Sequence, residues 1–80
     1  MRIRFQTRRD GPIPSEAVVA IPTVSGGTEE VIVHASQADS DSVEVGFISE
    51  KNGQLLIELP RETVSGRWRV WVPKSAVMDA

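Results

Sequence analysis

The chain of 80 residues has no cysteine and no tyrosine, and it has a single histidine. Without cysteine the protein cannot form a disulfide framework, a thiolate zinc site or a cysteine nucleophile. One histidine among scattered carboxylates gives no metal-ligand spacing, and no glycine loop suited to phosphate is present, so we expect neither a metal nor another cofactor. The sequence therefore predicts a fold that is held together by packing alone.

Long apolar segments are also missing. No stretch approaches the roughly 20 apolar residues of a membrane-spanning helix. Arg4, Arg8 and Asp10 interrupt the apolar runs near the N-terminus that a secretory signal would need. We therefore expect one small domain, residues 1–80, in the cytoplasm and with no membrane partner.

Basic residues are absent from the middle of the chain. Residues 11–50 contain seven acidic residues and no lysine or arginine, whereas residues 1–10 have a net charge of +3 and residues 51–80 a net charge of +2. If the two ends come together in the fold, this distribution predicts a positive face opposite a negative one.

Helical periodicity is absent as well, and five prolines interrupt the chain. Alternating apolar residues instead predict six short strands, near residues 1–7, 17–21, 30–35, 43–48, 54–59 and 68–72. The Asn-Gly pair at 52–53 is a strong hairpin signal. We expect an all-β protein that closes into a small six-stranded barrel, with at most one short helical turn near residues 75–78.

The residues Thr-Val-Ser-Gly occur at 23–26 and again at 63–66. Each copy follows an apolar strand that ends in proline and precedes an alternating strand. The spacing is half the chain, so the sequence suggests half-repeats of residues 1–40 and 41–80, packed as two three-stranded halves around a pseudo-twofold axis. The alternative is chance, since these residue types are common in β-turns.

The outer face of the last hairpin is the strongest candidate site. If Trp68 belongs to the core, the alternation turns Arg67, Arg69 and Trp71 outward, with Leu56 across from them on the neighbouring strand. An indole between two guanidinium groups suits a surface that binds a partner. We therefore predict a non-enzymatic binding or assembly module that binds another protein, or a second copy of the same chain, through these residues. The alternative is that a terminus or a loop covers Trp71 and that the arginines protect an edge strand.

A second basic cluster suggests nucleic acid as the alternative partner. Thr-Arg-Arg-Asp-Gly at residues 7–11, together with the later Pro-Arg-Glu and Arg67, is similar to motifs of the carbon-storage-regulator family, which are dimeric β proteins that bind messenger RNA. The resemblance implies binding of RNA, with Arg67 in the place of an RNA-contacting arginine. As the alternative function we therefore expect binding of RNA or single-stranded nucleic acid through Arg8, Arg9, Arg67 and Arg69. Protection against edge pairing is the other role that Arg8 and Arg9 suggest.

Residues 43–77 resemble the end of an SH3-like barrel, with three strands in a meander and then Pro-Lys-Ser-Ala-Val. The resemblance implies the fold alone. Without tyrosine the chain lacks the aromatic groove in which SH3 domains hold proline-rich peptides.

His34 lies close in sequence to Ser36 and Asp39, which are the residue types of a hydrolytic triad. It sits on a strand whose valines face the core, so we expect an exposed histidine with no fixed orienting partner. An enzyme is therefore the less favoured class, and its remaining form is a small oligomeric enzyme with a site between subunits.

Overall fold

Nine short strands and two 3₁₀ turns make up the fold in the computed structural model, which describes residues 1–78. The strands are β1 (Arg2–Arg4), β2 (Thr7–Asp10), β3 (Glu16–Pro22), β4 (Thr28–His34), β5 (Ser42–Glu44), β6 (Gly46–Lys51), β7 (Gln54–Glu58), β8 (Arg69–Pro73) and β9 (Val77–Met78). The 3₁₀ turns are Ala35–Gln37 and Lys74–Ala76. Every pairing is antiparallel, and the three sheets have the orders β5-β1-β9, β2-β3-β4 and β6-β7-β8.

The all-β prediction is confirmed, but the strands are arranged differently from the six expected. Of the strand predicted at residues 1–7, only Arg2–Arg4 form β1, and Thr7 already begins β2, which belongs to a different sheet. The strand predicted at residues 43–48 is divided between β5 and β6, which also belong to different sheets. At these bends the Phe5 N–H donates to the Asp41 carbonyl at 3.1 Å, and the Val45 N–H donates to the Met1 carbonyl at 2.8 Å. A single closed barrel is not confirmed, because the pairings within residues 1–78 define three separate sheets.

The helical turn expected near the C-terminus is present at Lys74–Ala76. A second turn, Ala35–Gln37, lies where a polar loop was expected. His34 caps it: its Nδ1 accepts the Ser36 N–H at 3.2 Å, and its own N–H donates to Gln37 Oε1 at 2.8 Å. A capping box usually begins with serine or threonine, so this one has no familiar sequence signature. No helix among residues 1–78 has the length and apolar character to cross a membrane.

The core draws on all three sheets, and β3 is its most buried strand. Residues 17–21 are all buried, because β3 lies between β2 and β4 and is covered on both faces. A short continuous apolar run is the pattern typical of such a strand. The core cluster consists of Ile3, Phe5, Val19, Ile21, Val31, Val33, Ala38, Val43, Val45, Leu55, Ile57, Leu59, Val70 and Val72.

The hairpin predicted from the Asn-Gly pair joins β6 to β7. Asn52 and Gly53 have φ angles of 52° and 77°. Two successive residues with positive φ are typical of the tight turn whose twist matches that of the flanking strands. The prediction of a hairpin at this position is confirmed.

The two Thr-Val-Ser-Gly segments, called the first turn (residues 23–26) and the second turn (residues 63–66), have the same conformation. In both, the threonine N–H donates to the carbonyl four residues later, at 3.0 and 2.7 Å, and the glycine N–H donates back to the threonine carbonyl, at 3.1 and 2.9 Å. The threonine and serine hydroxyls are 2.9 and 3.1 Å apart. Gly26 and Gly66 have φ angles of 88° and 90°.

The order of elements is also the same in the two halves of the chain. Four strands, a 3₁₀ turn and a further pairing residue follow one another in each. The first strands of the halves, β1 and β5, pair with each other about Ile3 and Val43. Ala38 pairs with Val43 as Val77 pairs with Ile3. A pseudo-twofold axis between β1 and β5 would produce this arrangement, while an origin of the halves by duplication stays a prediction.

We predict that Gly26→Ala and Gly66→Ala each lower the free energy of unfolding by about 1 kcal/mol, because alanine is disfavoured at positive φ. Crowding does not contribute: a Cβ at Gly26 meets nothing within 4 Å, and at Gly66 the nearest atom is Glu62 Oε1 at 3.9 Å. Urea denaturation measures both changes. Gly27→Ala is the control, with no positive φ and an expected change within about 0.5 kcal/mol. An equal cost at Gly27 would show that positive φ is not the cause.

Candidate functional site

The outer face of the β7–β8 hairpin carries Leu56, Trp71 and Arg69. The two valines of β8 are buried, so the residues that alternate with them face away from the core. Leu56 lies directly opposite Trp71, and Glu58 lies directly opposite Arg69. Trp71 and Leu56 are half-buried, while Arg69 and Glu58 are exposed. The outward direction predicted for Trp71 therefore agrees with the structure, and its indole is neither core nor fully open to solvent.

Trp68 is 52% exposed, so the prediction that it belongs to the core is wrong. The inward alternation holds only within β8, and β8 begins one residue after Trp68. Trp68 lies at the end of the hairpin, where its carbonyl accepts the Leu59 N–H at 2.9 Å. The residue buried next to this end is Thr63, which is 4% exposed. A polar loop residue thus takes the interior position, and the indole stays outside.

A groove of about 310 Å³ lies between the first turn and β8. The Val24 N–H donates to the Trp71 carbonyl at 3.1 Å and joins the turn to the strand. Residues 23–25 form one side of the groove, and the other side is formed by Arg67, Arg69, Val70 and Trp71, together with Glu29. The groove brings together three of the predicted site residues, while Leu56 lies on the neighbouring strand outside its lining.

The charged side chains of the groove are held by weak surface contacts. Glu29 accepts the Ser65 hydroxyl at 2.5 Å, and its other oxygen is 3.9 Å from Arg67 Nε. Arg69 Nε donates to Glu58 at 3.1 Å. The two arginine side chains remain 66% and 59% exposed. Because exposed ion pairs contribute only about 0–1 kcal/mol, the carboxylate of a ligand can compete with Glu29 and Glu58 for them.

Arg8 and Arg9 lie elsewhere, on β2, and do not line this groove. Arg8 donates to the carbonyls of Ala38 and Asp39, at 3.3 and 3.0 Å. Arg9 forms an ion pair with Glu30, and the hydrogen bond between them raises the pKa of the guanidinium. The six predicted site residues therefore fall into two separate groups.

Opposite charges are mixed over the surface, and the prediction of separate positive and negative faces is wrong. Seven of the eight ion pairs among residues 1–78 join a basic end of the chain to its acidic middle. One of them is between the ammonium of Met1 and Glu44, at 2.7 Å, and this hydrogen bond lowers the pKa of the carboxyl. The basic ends of the chain do come close to its acidic middle, but they meet it in individual ion pairs and not as two opposed faces.

His34 is exposed, as expected, and no carboxylate among residues 1–78 forms a hydrogen bond with it. Its Nδ1 is 2.7 Å from the Ser36 hydroxyl, and both groups belong to the cap of the first 3₁₀ turn. In the part of the chain that the structure describes, no cluster of His, Asp and Glu could hold a metal ion. The residue types of a hydrolytic triad are present without its geometry.

No protein-family model matches the chain, and neither a curated protein nor a solved structure is significantly similar to it.

The sequence patterns did not identify the first turn or Glu29 as parts of the groove. The first turn supplies Val24, which is 40% exposed, although the recurrence of Thr-Val-Ser-Gly indicated only a turn there. The contact of Val24 with Trp71 joins residues 47 positions apart, which no local pattern predicts. In the sequence, Glu29 is only one of the seven acidic residues between residues 11 and 50. The available signal was an apolar residue placed at a turn, where a polar one is usual.

We predict that the two tryptophans differ in accessibility. A Trp71→Phe protein, in which Trp68 is the remaining indole, should be quenched by acrylamide more strongly than a Trp68→Phe protein, because Trp68 is 52% exposed and Trp71 is half-buried. Stern–Volmer slopes from steady-state fluorescence measure the difference, with N-acetyltryptophanamide as the fully exposed reference. The reverse order of slopes would contradict the placement of both side chains.

Proposed function

We propose that this protein is a non-enzymatic binding module that holds a segment of a partner protein in the groove between the first turn and β8. The observation that supports this function most directly is the combination of a half-buried indole with two exposed guanidinium groups along one preformed groove. Aromatic and arginine side chains are the ones that most often dominate binding energy at protein interfaces.

The groove favours a segment in which a carboxylate lies close to an apolar side chain. Its lining contains two arginines and one glutamate, and Glu29 already accepts a hydrogen bond from Ser65. A carboxylate of the partner can form a two-point contact with the guanidinium of Arg67 or Arg69. An apolar side chain of the partner can then cover Trp71 and Val24, which are incompletely buried in the free protein.

Selection from a library of random octapeptides tests the proposal. We expect the domain to enrich peptides with Asp or Glu next to a β-branched or aromatic residue. Trp71→Ala should weaken the selected peptides about thirty-fold, which is the effect of losing a contact worth about 2 kcal/mol. Arg67→Gln should weaken them about ten-fold through the loss of a charged hydrogen bond. Fluorescence polarisation of labelled peptides measures both.

Trp68→Ala is the matched control, because it removes an indole that does not line the groove. It should leave peptide affinity within about two-fold of the parent, since truncating most contact residues outside an interface centre has little effect. Arg67→Gln keeps the experiment informative if Trp71→Ala lowers stability, because the Arg67 side chain is largely exposed. Selection of no peptide, or equal loss in Trp68→Ala and Trp71→Ala, would contradict the proposal.

Nucleic acid is the weaker candidate, and we expect no binding to it. Arg8 and Arg9 lie on β2 outside the groove lined by Arg67 and Arg69, so the four arginines do not form one continuous basic track for a phosphate backbone. The groove offers one aromatic side chain, whereas single-stranded binders stack successive bases on several. The fluorescence anisotropy of a labelled twelve-nucleotide RNA at low salt should not rise when the protein is added. Affinity that falls steeply as salt is added would instead favour the RNA alternative.

A further inference from the structure

The outer edge of β8 has main-chain groups that form no hydrogen bond with another segment among residues 1–78. The Leu59 N–H donates to the Trp68 carbonyl at 2.9 Å, which makes these two residues a hydrogen-bonded pair. Because such pairs alternate along an antiparallel ladder, the next residue, Arg69, turns its N–H and carbonyl away from β7. Two residues further on, the Trp71 carbonyl points the same way and accepts the Val24 N–H. Among residues 1–78, no other segment forms a main-chain hydrogen bond with Arg69 at that edge.

Strand β4 is the counterpart of β8 in the first half of the chain. Each is the third strand of its sheet, pairs with the central strand of that sheet and runs directly into a 3₁₀ turn. Counting back from those turns, the buried Val31 corresponds to the buried Val70. The residues before them, Glu30 and Arg69, correspond in the same way.

The edge of β4 at Glu30 is covered by the chain itself. The Val64 N–H of the second turn donates to the Glu30 carbonyl at 2.8 Å. Thr63 forms an antiparallel bridge with Val31 at the same place. The first two residues of the second turn, Thr63 and Val64, thus cover the counterpart of the open edge of β8 through one bridge and one main-chain hydrogen bond.

The first turn does not repeat this contact on β8. Val24 corresponds to Val64, but its N–H donates to the carbonyl of Trp71 instead of that of Arg69. The contact is displaced by two residues along the strand, or about 7 Å. This displacement leaves the edge at Arg69 uncovered and opens the groove beside it.

We propose that the partner segment binds as an added strand on the edge of β8, with its main chain hydrogen-bonded to the N–H and carbonyl of Arg69, in the place that residues 63–64 take on β4. The inference rests on the proposed function and specifies how the segment is held. Strand addition of this kind takes its affinity from main-chain hydrogen bonds and its specificity from the side chains alongside.

The chemistry of the segment follows from the covered edge and from a reversal of charge. On β4 the occupant places the β-branched Thr63 inward, 4% exposed, while Ser65 bonds to the acidic Glu29. At the edge of β8 the groove is lined by Arg67 and Arg69, with Glu29 as the one acidic residue of the lining. The segment that fits it is therefore extended, with a small β-branched residue over the strand and an acidic side chain next to it.

Ester substitution in the highest-affinity octapeptide from the selection tests this mode of binding. Each peptide amide is replaced in turn by an ester, which removes one N–H and keeps the side chains. We expect one position at which the affinity falls about five- to ten-fold, the size of one lost hydrogen bond. In ¹⁵N-labelled protein, binding should also slow the hydrogen exchange of the Arg69 amide at least about ten-fold. The amide of Val70 faces β7 and serves as the internal control.

The outcomes separate this inference from the proposed function. If every ester binds like the parent peptide and Trp71→Ala still weakens binding, the groove is a binding site but strand addition is wrong. If no octapeptide binds, both proposals fail. If the Arg69 amide becomes protected in the free protein as its concentration rises, a second copy of the chain covers the edge, and the assignment to another protein is wrong.

Discussion

Main-chain N–H and carbonyl groups at the edge of a sheet need hydrogen-bond partners, and this requirement shapes the fold. Each of the three sheets has only three strands, so two of every three strands are edge strands. The chain meets this requirement with single contacts from its own loops. The second turn covers β4 at Glu30 through Val64, and the first turn covers β8 at Trp71 through Val24. On β6 a register irregularity between Phe47 and Ser49 disturbs the ladder, a device that discourages pairing with other chains. All four residues of strand β2 are exposed, Arg8 and Arg9 among them.

Local sequence patterns were sufficient to predict the all-β class and the Asn-Gly hairpin, because both depend on neighbouring residues. The outward direction of Trp71 also followed from the alternation within β8. The exposure of Trp68 could not be predicted in this way. The alternation of inward and outward side chains begins only with β8, at Arg69, and nothing in the residues themselves marks that point. The bends at Phe5 and Val45 are set by hydrogen bonds to residues about forty positions away, so the division of one predicted strand into two had no local signal.

The candidate site shows the same limit. Arg67, Arg69 and Trp71 could be found because they alternate on one strand, but the groove exists only because the first turn meets β8 two residues away from the symmetric position. The distribution of charge was misleading for a related reason. Counts along the chain described separate basic and acidic regions, whereas folding pairs them residue by residue, as in Arg9 with Glu30. Exposed pairs of this kind are easily exchanged, which suits a surface that must accept another carboxylate.

Strand β1 lies between β5 and β9, so both of its partners come later in the chain. Ile3 must wait for Val43 on one side and for Val77 on the other. Residues up to Val77 must therefore leave the ribosome before the first strand has both neighbours. Contacts between residues so far apart in sequence are typical of domains that fold in milliseconds to seconds. During synthesis the two turns can form early, but the sheet that joins the halves is completed last.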